Sequence, residues 1–403
     1  VALKHETMGE VNEYAVLEYV RDHRRTTRTA IAADLGLSQA SVSRMVSKLL
    51  TGGVLLETGD TARSGGRPHV VLTLNVESVC VVGIDLGGTK CHGALSGLDG
   101  VILAEEYVTV AEAGGAFAAL VQVWTAMQVA AKTRGVEIGA LAVGVPAVID
   151  ADTEFAVRGP NVGWDGFDLV EKVRQFGVPF LVDNDVNLAA IIEGEVGQAV
   201  GSRDYVVLSI GTGLGGAVVS NGRLVRGRHH AAGEIGALLP EVRMLDDDNA
   251  AGIGGLESVL SGGAIARRAR ELCASDPAAR LELGPTPTAR EVIAAGLAGR
   301  PFGQSLLNDV VRALAQAVIT FAAVVDPEVV VIDGSVGRAL APFLDEVTAL
   351  VARHVATPPR LAVSALGPNS TVRGALFGAL HHLRLTDAPR VLGDLTYDRG
   401  NNS

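Results

Sequence analysis

Between residues 11 and 50 the apolar positions recur with helical spacing. Val11, Tyr14, Ala15 and Leu17, with Glu18 in step, mark one face of a first helix over residues 11–21. Ile31 and Leu35 give a short second helix. Val42, Met45, Val46, Leu49 and Leu50 give one face of a third. Gly36 stands between these two, where the chain must turn with a positive φ. Ser38 is a good N-cap for the third helix. Helix, glycine turn and helix make a helix-turn-helix pattern. The texture then changes to two strands, "VLLETGD" and "HVVLTLN", flanking the polar loop "TARSGGRP". The pattern predicts a winged helix-turn-helix over residues 1–76.

From Val79 onward strands and helices alternate. "VCVVGIDLGGTK" is a strand running into a glycine turn, and "HGALSGLDGVILAEEYVTV" holds two further strands. A helix over 116–133 follows, then the buried strands "IGALAVGVPAVID" and "FLVDND". "DYVVLSIGTGLGGAVVSNGRLV" repeats the order of strand, glycine turn and strand. Helices are expected over 261–274, 302–325 and 372–385, with the strand "EVVVIDGSVG" entering another glycine turn. The two similar openings, at 81–97 and 206–222, predict two related α/β halves. They are expected over 77–195 and 196–385, with the last helix packing back on the first half and a polar tail over 386–403.

Composition supports this picture. The chain has 403 residues, 48% hydrophobic, with 49 glycines and few aromatics, so the core must be Val, Leu, Ile and Ala. Cys80, Cys91 and Cys273 have no metal-ligand or redox spacing, and read as small buried residues of a reducing cytoplasm. Residues 1–10 are largely polar and carry no leader pattern, and the apolar runs are broken well short of a membrane span. A cytoplasmic protein with no membrane partner is therefore expected. The formal net charge of −11 argues against nucleic acid binding by the whole surface. Residues 1–76, however, hold nine Lys/Arg against eight Asp/Glu, and Arg21–Lys48 holds six basic residues against two acidic. A basic head on an acidic body is an electrostatic footprint for DNA.

The third helix carries Gln39, Ala40, Ser41, Ser43, Arg44, Ser47 and Lys48 away from its apolar face. Short polar side chains with one arginine suit base edges in a major groove. Arg63 and Arg67 in the wing loop suit a minor groove or phosphates. The alternative is a solvated helical face. In the body, Asp85, Gly87, Gly88, Thr89 and Lys90 form one strand-end turn, and Gly211, Thr212, Gly213 and Gly215 another. Glycines there let backbone N–H groups reach phosphate oxygens, and the threonines add hydroxyls. Asp85 suits a Mg²⁺ held through water. Asp185, where a buried strand becomes a helix, suits a base that takes a proton from an attacking hydroxyl.

The motifs "GIDLGGTK", "GVPA", "PNVGW", "DNDVNLAA", "IGTGLGGA" and "AAGEIG", in this order and spacing, resemble the ROK family of repressors, unknown frames and sugar kinases. The resemblance covers roughly residues 10–385 and includes the winged head that ROK repressors carry. It implies a two-lobed actin-like, ribonuclease-H-like ATPase fold with the lobes around a cleft, in dimers or tetramers. It also implies that Asn161, Asn184, Asp185, Glu234 and Glu257 bind sugar hydroxyls, with Asp185 as the catalytic base. Amides and carboxylates suit that task, since each serves two hydroxyls; Asn161 also reads as a turn residue.

The chain departs from the kinases of that family at their structural zinc. Ala237 stands at the ligand histidine, and Asp248, Ala250 and Gly255 at the three cysteines. A tetrahedral zinc site is not expected without imidazole or thiolate, and the loop carrying Glu257 is expected to lack its clamp. "IDGSVG" likewise replaces a glycine run near the adenosine, where Asp333 and Ser335 would alter nucleotide fit, and Ala147 replaces a glycine. The leading expectation is a regulator, a repressor of sugar metabolism with operator DNA and a sugar or sugar phosphate as ligands. It would need no cofactor. The alternative is an ATP-dependent sugar kinase with a DNA-binding head, which would use Mg-ATP. A third is a regulator answering only to a protein partner.

Overall fold

The computed structural model describes residues 12, 15–21, 23–51, 53–62, 69–76, 79–150, 155–158, 167–246 and 253–383. The head contains a helix over 15–21, then α1 (Arg28–Asp34), α2 (Gln39–Thr51), β1 (Leu55–Ala62) and β2 (His69–Leu74). Val42, Met45, Val46 and Leu49 are the buried face of α2, as their spacing predicts. In the first helix the buried residues are Val16 and Val20, while Leu17 is only half-buried. The expected face was therefore displaced by one position; Val11 and Tyr14 lie outside the described residues. Gly36 turns the chain at φ +65°, and the Ser38 hydroxyl accepts the Ser41 N–H at 3.1 Å. β1 and β2 pair antiparallel as the wing. Arg28 ties α1 to Glu57 on β1 at 2.9 Å, and Arg25 pairs with Asp60 on the same strand. The wing tip, with Arg63 and Arg67, lies outside the described residues.

The chain forms two compact units: 1–146 with 168–185 and 372–403, and 147–167 with 186–371. The head thus belongs with the first unit. The chain passes from first unit to second between Asp185 and Val186, ten residues before the expected boundary, and 147–167 goes with the second unit.

Each unit is built on a five-stranded sheet. The first has β3 (Val79–Leu86), β4 (Lys90–Gly97), β5 (Ile102–Thr109), β6 (Glu137–Val145) and β7 (Phe180–Asn184), in the order β5-β4-β3-β6-β7. The second has β8 (Tyr205–Ile210), β9 (Leu214–Ser220), β10 (Arg223–Val225), β11 (Val329–Asp333) and β12 (Arg360–Val363), in the order β10-β9-β8-β11-β12. In both, three antiparallel strands lead and two parallel strands extend the sheet. The two glycine-turn openings are the first hairpins of these matching sheets.

Helix α3 (Ala116–Arg134) covers one face of the first sheet with Ala119, Leu120, Val123 and Met127 buried. The helix that begins at Asp185, α4 (Asp185–Val196), follows β7 directly. The second unit holds α5 (Gly262–Ser275) and the long α6 (Pro301–Val325). Helix α6 has the length and hydropathy of a membrane span. It carries Asp309 and Arg312 and buries Leu306, Leu307, Val310, Leu314 and Val318 in the unit's core, as a core helix does. The last helix, α7 (Ser370–His382), crosses the other face of the first sheet. It comes so close that a Cβ on Gly83 would stand 2.6 Å from the Leu376 nitrogen. Helices over Pro277–Leu283, Ala289–Leu297, Gly334–Ala339 and Leu344–Val351 were not expected from spacing; the glycine turn after β11 is the start of the third of these.

Candidate functional site

Helix α2 presents Gln39, Ala40, Ser43, Arg44, Ser47 and Lys48 as exposed residues and Ser41 as half-buried, opposite the apolar face. A helix starts well only where its orphan N–H groups find acceptors. Here the Ser38 cap supplies one and leaves the N-terminal half of the polar face clear. This is the part of a recognition helix that meets base edges.

In the first unit the chemistry gathers at the carboxyl ends of the parallel strands. Asp85 closes β3 half-buried, and the Gly87 N–H donates to the Lys90 carbonyl at 2.9 Å to shape the turn. Gly88, Thr89 and Lys90 are exposed on it. Asp85 is in register with Gly144 on β6, and Gly144 with Asp183 on β7. Two strand spacings therefore separate Asp85 from Asp183, about 10 Å of backbone. Asp183 is buried and accepts the Asn184 N–H at 2.8 Å. Asn184 ends the strand and Asp185 opens α4, both half-buried. A carboxylate in the first turn of a helix is favoured by the helix dipole. Asp185 thus sits half-buried in the first turn of α4, where a carboxylate is electrostatically favoured.

In the second unit Gly211, Thr212 and Gly213 turn between β8 and β9, closed by a Gly211 N–H to Gly213 carbonyl bond of 3.0 Å. The N–H groups of Gly262 and Gly263, at the start of α5, donate to the carbonyls of Gly211 and Thr212 at 2.8 and 3.0 Å. This fixes the turn by its carbonyls and leaves Thr212 exposed. Gly215 packs on Val186, in the first turn of α4. Glu234 is exposed just before Ile235–Ala237, and Glu257 is half-buried in the first turn of Glu257–Leu260.

The loop bearing Glu257 has a clamp after all, made of main chain. The Leu256 N–H donates to the Leu238 carbonyl at 2.7 Å. Gly254 lies so near Gly236 that any Cβ would collide with its carbonyl, and a Cβ on Gly255 would stand 2.8 Å from the Leu238 oxygen. Close packing of backbone on backbone thus holds this loop. Ala237 and Gly255 offer no ligand atom; Asn161, Asp248 and Ala250 lie outside the described residues.

Two buried groups, Glu193 and His92, escaped the sequence reading, and a third, Asp333, is placed otherwise than expected. Asp333 is buried, accepting from Arg338 Nη1 at 2.8 Å and from the Ser370 hydroxyl at 2.6 Å. Its carboxylate is spent inside the protein and not aimed at a nucleotide. Glu193 on α4 is fully buried. One oxygen accepts the Gln198 N–H at 2.7 Å and the other has no hydrogen-bond partner among the described residues. Burial raises its pKa, helped by Asp333 and opposed by Ser364 and the Gln198 N–H. His92, in register with Asp85, is buried, bonded through Nε2 to Glu105 at 3.0 Å and stacked on Tyr107. Burial lowers its pKa, with Glu105 opposing. Glu193 and His92 stand in no glycine turn and in no resembling motif, so no sequence signal marked them; the glycine turn after β11 marked Asp333 but not its pairing.

Two family models match the head and the body separately. The ROK family matches residues 81–382, and the IclR helix-turn-helix domain matches residues 14–58. The xylose repressor of Caldicellulosiruptor bescii is 29% identical over 238 residues, 58% of this chain and 59% of that protein. The chain therefore spans under two thirds of that relative's length. The glucokinase of Halalkalibacterium halodurans is 30% identical over 308 residues, 73% of this chain and 92% of its own. A crystal structure described as a ROK family transcriptional regulator, a homolog of the E. coli MLC protein, shares the fold with a TM-score of 0.77. It is 21% identical, over 94% of this chain and 98% of its own. The chain belongs to the ROK family, with a helix-turn-helix head on a sugar-kinase-like body.

Proposed function

We propose that the protein is a transcriptional repressor of sugar metabolism whose body senses a sugar or sugar phosphate. The observation that carries this is the pairing of an intact recognition helix with a body that keeps hydroxyl-binding groups but not zinc ligands. Asn184, Asp185, Glu234 and Glu257 remain to bind a sugar, with Asn161 from the sequence. The main-chain clamp holds Glu257 without metal. A sensor needs only a difference in affinity between two conformations, not turnover. The ligand would bias the body between two states and so the presentation of the heads on operator DNA. The xylose repressor likeness supports a sugar as effector. We further propose that the protein works in the cytoplasm as a homodimer or homotetramer, the symmetry that paired half-sites demand.

A second reading, an ATP-dependent sugar kinase, is favoured by the intact Asp85, the two glycine turns, Asp185 and the glucokinase likeness. Thr89, Thr212 and both turns would hold the phosphates of Mg-ATP, with Asp85 toward the cation. One assay separates the two. ADP release that needs both ATP and a sugar, abolished in Asp185→Asn, supports the kinase. Saturable sugar binding without turnover supports the sensor.

A further inference from the structure

The head is tied to the body by more than the covalent chain. Within the first unit, helix 15–21 lies against α7. The Arg21 guanidinium stands 5.9 Å from the centre of the Phe377 ring, and the His381 ring packs on Phe377 with centroids 4.2 Å apart. Leu17, Arg21, Leu98, Leu380, His381 and Leu383 line a cavity of about 30 Å³, room for one water. The same helix is tied inward to the reading head: Val16 and Val20 are fully buried, and the Tyr19 hydroxyl donates to Asp34 at the end of α1. One short helix thus grips α1 on one side and the body's last helix on the other.

We propose that Arg21 and Phe377 are positioning residues for DNA recognition: they fasten the head to the first unit and set the angle at which α2 is presented. A head on a loose tether loses orientation, and ligand-driven movement of a body reaches DNA only through an element with a defined arrangement. This inference rests on the DNA-binding reading above.

The test uses the full chain. Thr51 is exposed at the end of α2, and Cys80, Cys91 and Cys273 are buried. A fluorophore on Thr51→Cys therefore reports rotation of the head. In the parent chain its anisotropy should decay with the slow rotation of the whole unit. Arg21→Ala and Phe377→Ala should each add a fast phase from a released head, and Phe377→Tyr, which keeps the ring, should restore the parent decay. A fast phase of equal amplitude in the parent, or variants that match the parent, would overturn the proposal. DNA enrichment from a random-sequence pool tests the underlying function separately. If the parent enriches no sequence, the DNA-binding reading fails, and the decays still decide the joint.

Discussion

Glu257 keeps its place because two glycines let one backbone lie on another. Gly254→Ala forces a Cβ into the Gly236 carbonyl, an overpacking that costs about 1–3 kcal/mol. The loop must then move, so the variant should lose sugar affinity by calorimetry while the head still binds DNA; unchanged affinity would show that Glu257 does not need this clamp. The residue types at 237, 248, 250 and 255 were legible in the sequence, because ligand chemistry is written in residue type. The clamp was not, because a close approach depends on which two segments meet. Glu193 makes a second residue-scale prediction. Its pKa is raised in the fold, so the native state binds its proton more tightly than the unfolded chain. Its contribution to stability is then greatest at acid pH and falls as pH rises above the unfolded value near 4.5. Glu193→Gln should gain stability relative to the parent as pH rises from 4.5 toward 8, measured by thermal unfolding. A difference independent of pH would mean that the carboxyl is not protonated more readily when buried.

Among the elements, α2 and the glycine-turn strands were plain in the sequence, because each couples a periodic apolar face to a turn residue with a defined φ. Helix Ala289–Leu297 carried a legible signal, the capping box of Thr288 and Glu291, that apolar spacing alone does not count. The displaced face of the first helix has another cause: Leu17 turns partly toward α7, a partner that local periodicity does not reveal. Arg44→Ala tests α2 directly. It should weaken binding to the enriched site by about 1–3 kcal/mol if Arg44 reads a base, with little loss on unrelated DNA; unchanged affinity would remove Arg44 from that role. The joint predicts a pH response. Burial and then Arg21 push His381 down to about 3 when docked, against an unperturbed value near 6.5. Docking is therefore complete above pH 6.5 and weakens as pH falls below it, since protonation favours the open joint. Arg21 and Glu18 are the charged groups facing it in the cavity. The fast anisotropy phase should grow between pH 6.5 and 5 and stay flat from 7 to 8. A flat response throughout would show that docking does not hold His381 neutral.

At the scale of the whole molecule, two sheets of the same strand order repeat one architectural unit, and the repeat was visible as two glycine openings. Where the chain leaves one unit for the other was not visible. It falls inside a continuous motif, between Asp185 and Val186, with no change of composition to mark it. The proposed division of labour follows from this build, with the reading head grouped in the unit that carries Asp185. The most direct measurement is the affinity of the full chain for its enriched DNA site, at physiological salt with excess competitor, against a panel of sugars and sugar phosphates. One sugar should change that affinity by roughly 5- to 150-fold, the range of ordinary allosteric coupling. Binding no tighter than to competitor DNA, or an affinity that no sugar moves, would contradict the account.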